Sequence, residues 1–516
     1  MARYKEYNYA QLKLIPVSFS HQILPGSFEY TLNYLVDREL DLSIFASRYK
    51  NDETGAPAYD PAILLKIVLY AYSRGITSSR EIERCCRENV TFMALSADTQ
   101  PHFTTIADFI STMGDEITPL FLEVLMICDE MGLIGKEMFA IDGCKLSSNA
   151  SKEWSGTKAD LQKKARKMDK AIRYWLKKHR EEDDRGDPSP HREKEVAQVE
   201  TLRRHAKKIK DWLMEHDDKP GKSRGPKKSN ITDNDSAKMK TGHGVLQGYD
   251  GVATVDAKHQ IVVHAEAFGE AQEHDLLQPM IAETRANFQA IDKVRDVFRY
   301  AAVTADSGFH SEANLKALFD QKIDGYVADH FFRKRDPRFA TADRHRRRAV
   351  AERRHGKSTC YRPSDFIYDA SAQACICPAG RFLYRDGNHC IINGHIGIRF
   401  RGAKRDCLPC RQRAQCLWHP ERTPTRQVVF FTGRVSGKAV NETYTQQMKR
   451  KIDTPTGRHQ YSRRLGIVEP VFAHIRNALG LSRFSLRGRI KVNIQWKLFC
   501  IVHNLLKVHR YGLVWQ

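Results

Sequence analysis

No run of apolar residues in this 516-residue chain approaches the roughly 20 needed to span a bilayer. Its opening residues, Met1-Ala-Arg-Tyr-Lys-Glu6, lack the apolar core of a secretory signal. Residence in the cytosol is therefore expected, with no membrane partner. Acidic residues are in deficit as well. The 62 Asp and Glu face 84 Lys and Arg, which gives a net charge of +22 and makes a polyanion the natural partner. Charge alone would also suit a ribosome or a membrane surface. In a reducing compartment the twelve cysteines are expected to be thiols or metal ligands rather than disulfides.

Three stretches carry chemistry. Phe139-Ala-Ile-Asp142-Gly143 and Ala301-Ala-Val-Thr-Ala-Asp306-Ser-Gly308 each read as a short apolar strand that ends in Asp and a Gly turn. This is how α/β proteins present carboxylates at the carboxyl ends of strands. The third stretch runs from Tyr461 to Arg476. At helical period Tyr461, Leu465, Val468, Phe472, Ile475 and Leu479 form an apolar stripe expected to bury against a sheet. Ser462, Gly466, Glu469, Ala473 and Arg476 share the other face, with Arg463 and Arg464 nearby. Pro470 removes a backbone donor, so the helix is expected to kink or begin there. The plain alternative for Glu469 is a surface carboxylate neutralised by arginines.

Together these segments resemble the DDE transposases of bacterial insertion sequences, nearest the IS1182-type group of the IS4/IS5-like assemblage. The specific blocks are Ile141-Asp142-Gly143, Ala305-Asp306-x-Gly308-Phe309-His310 and Val468-Glu469-Pro470-Val471-Phe472. The likeness covers nearly the whole chain. It departs from the Tyr-Arg-Glu-Lys signature of the IS4-like enzymes in two places: four residues rather than three separate Arg464 from Glu469, and Arg476 stands where Lys is usual. The resemblance implies an RNase H-like catalytic core, a mixed five-stranded sheet with flanking helices. It implies Asp142, Asp306 and Glu469 as catalytic ligands of two Mg²⁺ (or Mn²⁺) ions. The implied reaction is cleavage at the element ends and strand transfer into target DNA. The partners are double-stranded DNA, at terminal inverted repeats and target, and a second copy of the chain. Such a protein would be associated with the nucleoid. The rival readings are an RNase H-like nuclease that never joins strands, and an inactive transposase-derived DNA-binding protein.

Four regions are expected. Residues 1–125 read as an all-helical, DNA-binding domain: Asp60-Pro61 opens a helix that Gly75 ends, and Ser78-x-x-Glu81 reads as a capping box. Generic helical packing would give the same pattern. The catalytic core takes 126–157, 230–330 and 425–516. Residues 158–229 form a charged helical hairpin and linker, and 331–424 a basic, Cys-rich insertion. Within the insertion Cys407-x-x-Cys410, Cys377 and Cys416 would complete a tetrahedral zinc site, with Cys375, Cys390 and His419 as competing ligands and reduced, packed thiols as the alternative. Lys145, Tyr461, Arg464, Arg476, Arg483, Arg487 and Lys491 are the candidate DNA contacts.

Overall fold

The computed structural model describes residues 18–49, 57–186, 189–221, 225–242, 244–292, 296–339, 360–369, 371, 374–392, 395–434 and 442–512. The basic cluster Arg344-His-Arg-Arg-Arg348 lies outside them. The chain divides into two compact units, Met1–Asp329 with Met448–Gln516, and His330–Gln447. Among the described residues no helix is long and apolar enough to cross a membrane.

The first unit begins with helices α1 (Phe28–Tyr34), α2 (Pro61–Ser73), α3 (Ser79–Glu88), α4 (Val90–Leu95), α5 (Phe103–Ser111) and α6 (Ile117–Glu130). Asp60 caps α2 by accepting from the Ala62 amide at 2.8 Å, and Gly75 follows it at φ +76°. Ser78 precedes α3 as expected, but its side chain makes no capping bond. The short helix α4, capped by Asn89, was not legible in the sequence.

Strand β1 (Met138–Ser147) then enters the sheet. The short strands β2 (Ser155–Gly156) and β3 (Ser229–Asn230) pair with each other and close the base of the expected hairpin, α7 (Lys158–Arg185) and α8 (Arg192–Glu215). Leu161, Ala165, Ile209 and Ile231 form its small core. Strands β4 (Ala237–Thr241), β5 (Gly244–Asp256) and β6 (Val262–Phe268) follow, then α9 (Leu277–Asp292), β7 (Ala302–Ala305), α10 (Glu312–Asp320) and β8 (Asp324–Val327). The long β5 pairs antiparallel with β1, β4 and β6. Beyond β1 the sheet turns parallel, through β7 to β8. The sheet has six strands rather than five, because the charged segment Ala-Lys-Met-Lys-Thr adds β4.

The second unit is built on β9 (Ile367–Asp369), β10 (Ala374–Ile376), β11 (Phe382–Ile392), β12 (His395–Gly402), the single turns α11 (Lys404–Cys407) and α12 (Arg413–Cys416), and β13 (Gln427–Arg434). The five strands make one antiparallel sheet in the order β13-β12-β11-β10-β9. The expected boundary at 425 therefore falls too early, because β13 pairs with β12. Phe366, Cys375, Leu383, Ile398, Phe400 and Val428 are its core.

Helices α13 (Tyr444–Asp453), α14 (Pro455–Ala473) and α15 (Arg489–Tyr511) end the chain. Pro470 neither starts nor breaks α14. It deprives the Gly466 carbonyl, four residues back, of its helical donor, and Gln260 Nε2 supplies one at 3.0 Å. The helix passes directly into a π turn at His474–Ala478. Helix α15 lies on the sheet. Trp496 donates to the Val252 carbonyl at 3.0 Å, and Asn504 satisfies both backbone groups of Val262 on the edge strand β6. The amino-terminal helices pack on the same helix: Tyr72 stacks on Phe499 with ring centroids 4.7 Å apart, and Lys497 donates to Thr118 at 2.7 Å. They belong to the first unit rather than forming a domain of their own, because their apolar faces are buried against α15.

Candidate active site

The two aspartates read from the sequence stand on neighbouring strands. Asp142 lies on β1 and Asp306 directly follows β7, and the two strands run parallel with Ile141 opposite Ala305. Parallel register thus places both carboxylates side by side just past the last β1–β7 pair. Only Asp306 is followed by a turn, and the Gly308 amide donates to its Oδ1 at 2.7 Å. Asp142, expected to end its strand, sits in the middle of β1, because β1 goes on pairing with β5 as far as Ser147, and it accepts from the Gly143 amide at 2.8 Å.

Two further carboxylates complete the cluster, and neither was picked out in the sequence. Asp250 comes from β5, and a Cβ on Gly143 would stand 2.7 Å from its Oδ1. Glu273 comes from the turn before α9. Its carboxylate packs against Gly308 so closely that a Cβ there would overlap it. Glycine is required at both positions by this approach rather than by backbone angle. The available signal for Glu273 was weak, an acidic Glu270-Ala-Gln-Glu-His-Asp275 segment between a strand and a helix.

Two cations answer four carboxylates. Lys145 pairs with Glu273 at 2.9 Å, and Arg464 of α14 is bonded to Asp142 Oδ2. Burial pushes the Asp142 carboxyl up to about 7, against the pull of Arg464 and with a further push from Asp306. Asp306 is raised by burial and by Glu273, opposed by the Gly308 amide. Asp250 is raised by burial and by Glu273, whose carboxylate stands within hydrogen-bond reach of it. The four carboxylates outnumber the two cations, and burial favours the protonated forms of Asp142, Asp250 and Asp306.

Glu469 is not part of it. Arg464 points from α14 into the site, and Glu469 lies five residues on, about 140° around a helix of 3.6 residues per turn. It is exposed, with no bond to either aspartate. The buried face of α14 carries Arg464, Ile467, Val468, Val471 and Phe472, whereas Leu465, expected in the stripe, is 46% exposed. The helix is rotated because the Arg464–Asp142 pair must face the sheet, and that turns Glu469 outward.

The other candidate DNA contacts divide. Lys145 and Arg464 are engaged inside the site. Tyr461 is half-buried beside Arg464, and burial raises its hydroxyl. Arg483 donates to the Ser148 carbonyl and Asn149 Oδ1, and Arg487 to the Asn149 carbonyl at 2.7 Å, so both brace the loop that follows β1 while remaining exposed. Arg476 and Lys491 are exposed. In the second unit Cys377, Cys407, Cys410 and Cys416 line one cavity. Among the described residues no three His, Cys, Asp or Glu side chains stand as a formed metal site.

The donor chemistry of the carboxylate cluster, oxygens alone, is nonetheless the kind a hard divalent cation takes. Comparison with known protein families gives two matches. Residues 17–112 match the family described as Transposase domain (DUF772), and residues 376–509 match the Transposase DDE domain. The second match includes Arg464 and Glu469 and leaves Asp142, Glu273 and Asp306 outside it. No curated protein matches the chain. With a transposase domain matched at 17–112 and a Transposase DDE domain at 376–509, the comparisons support a DDE transposase of an insertion sequence.

Proposed function

We propose that this transposase cuts DNA at the ends of its insertion sequence and joins the freed ends to target DNA, working from the cluster of Asp142, Asp306 and Glu273. The observation that carries the reading is that Asp142 and Asp306 follow the last pair of the parallel β1–β7 ladder, with two more carboxylates and only two cations beside them. Three antiparallel strands leading into two parallel ones, in the order β6-β5-β1-β7-β8, are what an RNase H-like core requires. The IS1182-type likeness rests on the sequence blocks quoted above.

Divalent ions, Mg²⁺ or Mn²⁺, would be held by Asp142 and Asp306 with Glu273 as third carboxylate, and would neutralise the phosphorane oxygens and activate the nucleophile. Everything else falls to the chain. Burial sharpens the electrostatics of the cluster. Arg464 holds Asp142 in place from α14, and Lys145 does the same for Glu273 from β1. In the first step water attacks phosphorus, the P–O3′ bond breaks, and the element end keeps a 3′-OH while the flank keeps a 5′-phosphate. In the second, that 3′-OH attacks a target phosphodiester and displaces its 3′ oxygen, so one ester is exchanged for another. The exposed Arg476, Arg483, Arg487 and Lys491 contribute phosphate contacts. A homodimer holding two ends is the working assembly.

Strand transfer separates this reading from a nuclease. A pre-cut, labelled element end incubated with supercoiled target and Mg²⁺ should yield covalently joined product. Cutting without any joined product would support the nuclease reading, and binding without either would support a non-catalytic DNA-binding protein.

A further inference from the structure

The linker that follows the helical hairpin is folded, and it closes one side of a cleft. The Lys227 amide donates to the Lys219 carbonyl at 2.9 Å, so these two residues form a single antiparallel bridge. The second wall is β4, and the third is the loop at 269–272 that leaves β6. Gly269 lets that loop approach β4, since a Cβ there would overlap the Asp235 carbonyl oxygen. The open space between the walls is about 660 Å³.

Charge of one sign lines the cleft. Lys219, Lys227, Lys228, Lys238 and Lys240 stand on it against one carboxylate, Glu270, among the described residues. Lys238 and Lys240 share a face of β4, because Met239 between them is buried. Lys227, Lys228, Lys238 and Lys240 are exposed. Among the described residues no ion pair takes up Lys227, Lys238 or Lys240. Lys219 is half-buried, and its ammonium donates to the Asn234 carbonyl. Burial lowers its pKa, Asp235 opposes that, and Lys227 adds to the fall. Like charges gathered this way repel one another, so an anion along the cleft relieves a repulsion that the fold otherwise sustains.

Position and spread decide which anion. The 269–272 wall continues directly into Glu273 of the carboxylate cluster, so it runs from the lysines to the proposed cutting site. A single phosphate would engage one or two ammonium groups. Five of them, spread over the linker and β4, suit the row of phosphates on a nucleic-acid strand. Lysine on an edge strand also guards against pairing with another chain. That role would account for Lys238 and Lys240 on β4, and leaves Lys227 and Lys228 on the linker unexplained.

We propose that this cleft is a track for the phosphate backbone of DNA, in which Lys227, Lys228, Lys238 and Lys240 contact one strand and the 269–272 loop leads that strand to Glu273. The inference rests on DNA being the substrate of the carboxylate cluster, and adds the route by which it arrives. Contacts of this kind hold the backbone without reading bases, because an ammonium group meets phosphate as a point charge.

The test measures binding of the full-length chain to a labelled duplex of arbitrary sequence, without divalent ions, over about 50–200 mM salt. In Lys238→Gln/Lys240→Gln, and separately in Lys227→Gln/Lys228→Gln, the slope of log K against log salt should shrink by about 2, since each lost phosphate contact removes about 0.9. Lys163→Gln/Lys167→Gln takes the same charge from exposed positions of α7 and should leave the slope as it is. If the strand variant does not fold, the linker variant decides. Cleft variants with the wild-type slope, or with a fall no larger than that of the α7 variant, overturn the proposal. So does a Lys238→Gln/Lys240→Gln chain that aggregates with its slope unchanged, which would leave those lysines the guarding role alone. The readout is binding, so a chain that binds and never cuts would fail the proposed function while the slopes still decide the cleft.

Discussion

Arg464 donates to Asp142 across 322 positions of sequence, and neither side chain is more than 13% exposed. This one ion pair fixes the rotation of α14 and brings the carboxyl-terminal region of the chain to strand β1. Removing one partner of a buried pair strands the other charge, at about 3–5 kcal/mol. Arg464→Ala should therefore destabilise the protein by about that amount in urea unfolding. The loss should shrink below pH 7, where the Asp142 carboxyl can take up a proton.

A Cβ on Gly308 would overlap the Glu273 carboxylate. Gly308→Ala should expel Glu273 from the cluster while leaving the β7 strand intact. Isothermal titration with Mn²⁺ should show weaker binding, by roughly ten- to a hundredfold if Glu273 supports a metal. Unchanged affinity would remove Glu273 from the ligand set.

The pH dependence has a definite sign. The Asp142 carboxyl is raised from an ordinary 3.8 to about 7 by burial, so the folded state binds a proton that the unfolded state has already lost. Without added Mg²⁺, stability should fall as pH rises from about 4 to about 7, with Asp306 and Asp250 adding to the fall. Divalent ions compete with those protons, so the stabilisation they give should grow over the same window. Thermal melting from pH 5 to 8, with and without Mg²⁺, measures both slopes.

Glu469 and Glu273 make opposite predictions. Glu273→Gln should lower metal-dependent cleavage by about a hundredfold or more with DNA binding retained. Glu469→Gln, on the exposed flank of α14, should cut at close to the wild-type rate. The reverse result would mean that α14 turns on binding DNA and brings Glu469 inward.

What the sequence conveyed, and what it could not, follows from range. Asp142 and Asp306 were legible because each follows a short apolar run and precedes a Gly, which is a local pattern, although only Asp306 ends its strand and β1 continues past Asp142 to Ser147. The helical hairpin expected within 158–229 was legible for the same reason, through periodicity, and stands at 158–185 and 192–215. Glu273 and Asp250 were not, because what places them is contact with Gly308 and Gly143 from distant segments. The stripe on α14 was misread by one position, since period alone put Leu465 inside. A long-range ion pair buried Arg464 instead. Pro470 misled for a similar reason: the donor that rescues Gly466 comes from Gln260, 206 residues away. Strand β4 was missed because an edge strand rich in lysine has no apolar alternation.

The most direct test of the central claim is cleavage of a labelled duplex carrying the element ends, with Mg²⁺ or Mn²⁺, by wild type and by Asp306→Asn. The substitution keeps shape and leaves the Arg464–Asp142 pair untouched. The account predicts equal DNA binding, cutting at the ends by wild type, and loss of cutting in the variant. Asp306→Asn cutting at the wild-type rate would contradict it.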